Sequence, residues 1–408
     1  MTNARFLFLH SGEFDPTVID SQVVDSIVAL AEFGVRFDML VLMHGSPWIR
    51  KRAYNRRRQR EIEERIHARV RVFPSPAKGR PAGDWLAARI IETAVAAGRA
   101  KRTVLHARGD SVGYYASRVA ARRPDVRYVY DARGDVEAEF RYYAPRDGVP
   151  QDVMVRRLAA IQRHRAGAVE GASHVLCVSS VLRDRLLGLH PGDATRFSVI
   201  PCVADANKFH ADERERAETR RELGLDDRFV VIFPGRFRAW HYARETLAVV
   251  AGLMRHFADV HFLVLTPDVE EARSLAREAL PEGRYDVQSA PHREVPRYLR
   301  AADLGLLFRE PHPLNEVACP TKFAEYMMSG LPVLISSGIG DCSPFVGGNA
   351  AGVVMERPDP EAAIAAVTRL RAEPADARRA RIAALSERFS RQRAAREMAE
   401  IYLRLAGN

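Results

Sequence analysis

The chain has 408 residues, of which 47% are apolar and 28% charged, with a formal net charge of +10 and four widely spaced cysteines. That composition excludes bulk disorder and a disulfide scaffold, and the length fits two or three domains that each bury a core. No run approaches the 18 apolar residues of a membrane span, and the start, MTNARFLFLHSGEF, holds only a short apolar run that reads as a buried strand rather than a leader.

FLFLH at 6–10 reads as a strand, 21–34 as an amphipathic helix closed by Gly34, and 35–43 as the next strand. TVLHARGD (103–110) and YVYDARGD (128–135) are strand ends opening into loops, followed by strands at 173–180 and 196–201. A polar, highly charged segment at 202–228 interrupts the pattern. A second series then runs through FVVIFPG (229–235), VHFLVL (260–265), YDVQ (285–288), LGLLF (304–308), LPVLI (331–335) and GVVM (352–355). Strands alternating with helices predict parallel sheets, so the expected fold is α/β with two doubly wound, Rossmann-like domains. The expected division is 1–204, 205–388 and a terminal amphipathic helix in 389–408.

The charge is uneven. Residues 1–200 hold 33 basic and 22 acidic residues, a net +11, whereas 201–408 hold 29 and 30, a net −1. The run from Arg50 to Arg60 is the densest part. Two readings stand side by side: general arginine usage, or a basic face for an anionic membrane surface or acceptor. Nucleic acid is not expected, because no aromatic-interleaved strand or basic recognition helix accompanies the charge.

In an open parallel sheet ligands gather at the carboxyl ends of the strands. That filter selects CPTKFAEYMMSGLPVLI (319–335), where Pro320 opens a helix and Gly330 closes it. Free N–H groups at Thr321 beside Lys322 suit a phosphate, and Glu325 one turn on suits ribose hydroxyls. Only five of the 62 basic residues are lysines, which singles out Lys322. The alternative is a plain ion pair between Lys322 and Glu325. PGRFRAWH (234–241) adds Gly235, which permits close backbone approach, and Arg236, whose planar fork suits a diphosphate. For Trp240, packing is favoured over stacking on a base.

Together these segments resemble the donor site of nucleotide-sugar glycosyltransferases of GT-B fold, family 4. ASHVLCVSSVLRDRL with FSVIPCVADANKF resembles the interdomain passage of that family, and FSRQRAAREMAEIYLRL its terminal helix, which crosses back to the first domain. HARGD and DARGD resemble a bacterial subset with HxR and DxRG strand ends. The resemblance implies two domains facing each other across a cleft. It implies an enzyme that moves a sugar, with retention, from a nucleoside-diphosphate sugar to a glycan or lipid-linked acceptor in cell-surface polysaccharide synthesis. Arg236 and Lys322 would stabilise the leaving diphosphate, with Thr321, Gly235, Glu325 and His241 holding the nucleotide. Glu316, Gly12, His106, Arg108, Asp131 and Arg133 would meet donor or acceptor sugar. No cofactor or metal is expected, since the cations take the metal's part. The expected location is the cytoplasm or the inner membrane face.

Two positions depart from the family pattern. The family's first glutamate would fall at Val317, with Glu316 the nearest acid, and His241 stands where a lysine is usual. A structural tie between strand ends is the alternative for the first-domain residues. An epimerase of the same fold and a non-catalytic nucleotide-sugar-binding protein are the alternative functions.

Overall fold

The computed structural model describes residues 4–14, 19–75, 79–98, 100–236 and 242–407. The chain divides into two units, Met1–Pro201 with Ala394–Asn408, and Cys202–Arg393. Each is built on one parallel sheet, as the alternation of strands and helices requires.

The first sheet contains β1 (Ala4–Ser11), β2 (Phe37–His44), β3 (Val70–Ser75), β4 (Arg102–Arg108), β5 (Val126–Ala132), β6 (His174–Cys177) and β7 (Phe197–Val199). Their spatial order is β3-β2-β1-β4-β5-β6-β7. The second holds β8 (Phe229–Pro234), β9 (Val260–Leu265), β10 (Tyr285–Gln288), β11 (Leu304–Leu307), β12 (Val333–Ser336) and β13 (Gly352–Met355), ordered β10-β9-β8-β11-β12-β13. The expected doubly wound α/β class is therefore present twice, with the same winding. In each sheet the order reverses once, between β1 and β4 and between β8 and β11. Ligands of such sheets bind outside the strand ends at that reversal.

The second sheet shows why its strands read as unbroken apolar runs. Along β8, Phe229, Val231 and Phe233 point into one core, and Val230 and Ile232 into the other. A strand covered by helices on both faces has no polar side to display. Edge strand β3 has no such run: of VRVFPS only Val70 is buried, and Pro74 is tolerated because the strand pairs with β2 alone. It went unread in the sequence for that reason.

The helix read at 21–34 is shorter and opens differently. A π-turn, Ile19–Val24, leads into an α-helix, Asp25–Glu32. Such turns widen a helix locally and often mark functional positions; here the turn carries Gln22. In the first unit the terminal helix, Arg391–Ala406, sends Tyr402 into an aromatic cluster. The Tyr402 ring lies 5.1 Å from Phe37 and 6.4 Å from Phe6, both edge-on.

Candidate functional site

The reversal in the second sheet places Gly235, just after β8, near the loop that follows β11. Gly235 has φ +120°, a region side chains rarely adopt, and its N–H donates to the Leu265 carbonyl over 2.7 Å. A Cβ built there would stand 3.0 Å from the Lys322 Nζ. The glycine thus leaves room for an ammonium against the strand end.

Lys322 is the second residue of the helix Thr321–Met328, which the conformation of Pro320 (φ −66°, ψ 129°) opens. Its Nζ sits 4.1 Å over the Phe233 ring, a cation–π contact. Among the described residues no carboxylate lies within ion-pair distance of it. Desolvation draws its pKa down from the usual lysine range to about 7, Arg309 adding to the shift and Glu325 opposing it. An ammonium so placed is stabilised by an incoming anion.

Glu325 does not pair with Lys322, so the plain ion pair is not formed. Its carboxylate is buried and its Oε1 lies 3.0 Å from His292 Nε2, on the 3-10 turn His292–Glu294 after β10. Phe323 and Met327 are fully buried on the core side of the same helix, and the Phe323 ring packs edge-on against Phe345 and Phe389. Tyr326 donates its hydroxyl to the Leu306 carbonyl over 3.1 Å, fixing the helix to β11.

Arg236 follows Gly235 and is half exposed, its side chain at 48% of full accessibility, with Nη1 donating to Asp268 over 2.8 Å. Arg309 lies two residues past the end of β11. Its backbone N–H donates to the Ser336 Oγ and its Nη1 to the Asn315 Oδ1. Asn315 in turn is buried and donates to the Glu310 carbonyl. Arg309 and His292 went unread in the sequence, although both lie past strand ends. Thr321 begins the helix, half-buried, and Glu316 ends the short helix Pro313–Glu316 on its exposed side. His241, Trp240 and Arg238 lie outside the described residues.

The strand ends of the first sheet hold the other expected residues. Gly12 (φ +153°) follows β1, and its N–H donates to the Leu42 carbonyl. Asp131 at the end of β5 is buried among cations. Arg108 donates to its Oδ2 over 3.0 Å, the Arg133 guanidinium lies 3.6 Å from its Oδ1, and His106 Nε2 is 3.4 Å away. Burial pushes the Asp131 carboxyl up, but Arg133, His106 and Arg108 together outweigh it and hold it well below the usual range. Gln22 Oε1 accepts from Arg108 over 2.6 Å and from Arg133 over 3.4 Å, closing the ring.

His106 is only 4% exposed, stacked on Phe8 at 4.1 Å with its Nδ1 2.5 Å from the Tyr402 hydroxyl. Desolvation lowers its pKa, with Asp131 opposing. A neutral ring with the proton on Nε2 lets Nδ1 accept from the Tyr402 hydroxyl and turns the Nε2 proton toward Asp131. His106 is therefore packed inside its unit, whereas Arg133 keeps a quarter of its side chain accessible.

Residues 228–373 match the family model described as Glycosyl transferases group 1. That range holds Gly235, Arg236, His292, Arg309, Lys322 and Glu325. No curated protein matches the chain. Among solved structures, Anabaena Alr3699/HepE in complex with UDP is similar at a TM-score of 0.69 and 18% identity, covering 98% of this chain and 99% of that one. Sucrose-phosphate synthase from Thermosynechococcus elongatus matches at 0.70 and 17%, covering 99% of both. WaaG, a glycosyltransferase involved in lipopolysaccharide biosynthesis, matches at 0.65 and 14%, covering 97% of this chain and 99% of that one. At these identities the likeness is one of fold. The chain has the GT-B architecture of two Rossmann-like sheets.

Proposed function

We propose that this protein is a retaining, metal-independent glycosyltransferase. It would move a sugar from a nucleoside-diphosphate sugar to a glycan or lipid-linked acceptor in cell-surface polysaccharide synthesis. The observation that carries the reading is Lys322: a cation seated on Phe233 beneath Gly235, in a domain that matches group 1 glycosyl transferases.

The chemistry follows from where charge develops. As the sugar–phosphate bond breaks, negative charge grows on the departing diphosphate. Lys322, Arg236 and the N–H groups at Thr321 stand ready for it, so they stabilise the transition state more than the ground state. Those cations supply what a bound metal supplies in other transferases. Glu325, held by His292 through one oxygen, keeps the other for a ribose hydroxyl. Arg309 adds positive potential at the same strand end. Retention and family 4 membership rest on the resemblance of PTKFAEYMMSGLPV and the strand-end arginine to that family. Uridine diphosphate is the first nucleotide to try, because HepE holds it in the same fold. A lipid-linked acceptor would bring the protein to the inner face of a membrane.

Incubation with a panel of nucleotide sugars in EDTA, with and without glycan and lipid-linked acceptors, tests the reading. Free diphosphate that accumulates only with acceptor supports transfer. A changed sugar without acceptor would indicate an epimerase, and binding without turnover a binding protein.

A further inference from the structure

The basic run of the first unit separates into side chains with acidic partners and side chains with none among the described residues. Arg58 donates to Asp20 and Glu61, Arg65 to Asp20 and Asp25, and Lys51 to Glu13, while Arg57 pairs with Glu61. Of these, Arg58 and Arg65 tie the helix Arg52–Ile66 to the π-turn and the helix beside it. Arg50, Arg52, Arg56 and Arg60 are exposed, and among the described residues no carboxylate lies within ion-pair distance of any of them.

Arg52, Arg56 and Arg60 recur every four residues and so form one stripe of like charge, an arrangement that costs an isolated helix stability. Directly before the stripe, the short helix Gly45–Arg50 leaves Trp48 37% and Ile49 67% exposed. Two large apolar side chains beside an uncompensated cationic stripe match an interface with an apolar layer under an anionic one.

We infer that Trp48 and Ile49, with Arg50, Arg52, Arg56 and Arg60, form a docking surface for an anionic lipid bilayer. The apolar pair enters the headgroup–acyl boundary and the arginines meet lipid phosphates. This deepens the membrane placement proposed above, but it is read by lipid binding alone, so either can fail while the other stands.

The fold supplies an internal control. Trp85 and Leu86 are also exposed, at 54% and 46%, on the helix Pro81–Ala96 between β3 and β4. The helix carrying the stripe connects β2 to β3, and the sheet order turns back at β3. Right-handed crossovers therefore put the two helices on opposite faces of the sheet.

Co-sedimentation with mixed phosphatidylglycerol–phosphatidylcholine vesicles and with pure phosphatidylcholine vesicles tests the assignment. Binding to the mixed vesicles alone, weakening steeply with salt, is expected. Each arginine near such a surface is worth about fivefold, so R52Q/R56Q/R60Q should lower partitioning about 100-fold. Replacing Trp48 and Ile49 by serine should lower it at least ~10-fold, and W85S/L86S should leave it unchanged. All seven substituted positions are exposed, and unchanged thermal melts would confirm that the variants fold. Equal binding to both vesicle types, binding to neither, or an equal loss in W85S/L86S would overturn the assignment.

Discussion

The strand ends of the two sheets have the same topology and treat charge in opposite ways. In the first, a buried carboxylate, Asp131, gathers Arg108, Arg133 and His106, and Gln22 closes the ring. In the second, the acids are turned aside. Glu325 goes to His292 and Asp268 to Arg236, while Lys322 rests on an aromatic ring with no acid of the described residues against it. A closed ring of charges fixes strands and loops, whereas an uncompensated cation at a strand end is a place for an anion. Near-identical sequences, such as HARGD and DARGD, can therefore serve architecture as easily as binding.

Substitutions should separate the two roles, and the largest effect belongs to the closed ring. Asp131→Asn removes the one charge that balances the guanidinium groups of Arg108 and Arg133 and should cost about 3–5 kcal/mol of stability. Because the folded pKa of Asp131 is depressed, its contribution is complete above the unfolded value of about 4 and fades as the pH falls below that. Urea titrations at neutral and acid pH should show the difference between wild type and variant shrinking in acid. Nucleotide affinity at neutral pH should not change.

Lys322→Ala should do the reverse, leaving stability intact and lowering turnover by about 100-fold or more, with little change in KM. Arg236→Ala should follow the same pattern more weakly, since half its side chain is already in solvent. Steady-state kinetics in EDTA would check both, and full turnover in either variant would remove that residue from the leaving-group role. Glu325→Ala should weaken binding of the preferred nucleoside diphosphate by about 1.5–3 kcal/mol, read by calorimetry.

The smallest effect is the most diagnostic. Lys322 titrates near 7 without ligand, and a bound diphosphate raises that value. Affinity should then be full below about pH 7 and fall by up to ~10-fold per unit above it. Lys322→Arg, charged throughout, should lose that dependence, which separates the lysine from the ionisation of the nucleotide itself.

The fold was largely legible in the sequence because both sheets are covered on two faces. Phe229 to Phe233 and Val260 to Leu265 appear as uninterrupted apolar runs. β3, an edge strand with one buried residue, carried no such signal. In the second unit, Gly235, Lys322 and Glu325 were legible because a glycine after a strand, a rare lysine and a helix start fall in one short pattern. His292 and Arg309 were not, since their role depends on which strand ends the winding brings together. Nor could the sequence separate His106, sealed between Phe8 and Tyr402, from the more accessible Arg133, which directly follows the neighbouring strand β5. That distinction is made by burial, which the HARGD and DARGD motifs share no trace of.

On the proposed function, the strand end around Gly235 and Lys322 binds a nucleoside diphosphate. Isothermal titration of wild type, Lys322→Ala and Asp131→Asn with UDP, GDP, ADP and CDP in EDTA tests it most directly. The account predicts saturable binding of at least one nucleotide by wild type and Asp131→Asn, proton uptake on binding near pH 7.5, and loss of that uptake in Lys322→Ala. Absence of binding for all four nucleotides, or binding by Lys322→Ala with the affinity and proton uptake of wild type, would contradict it.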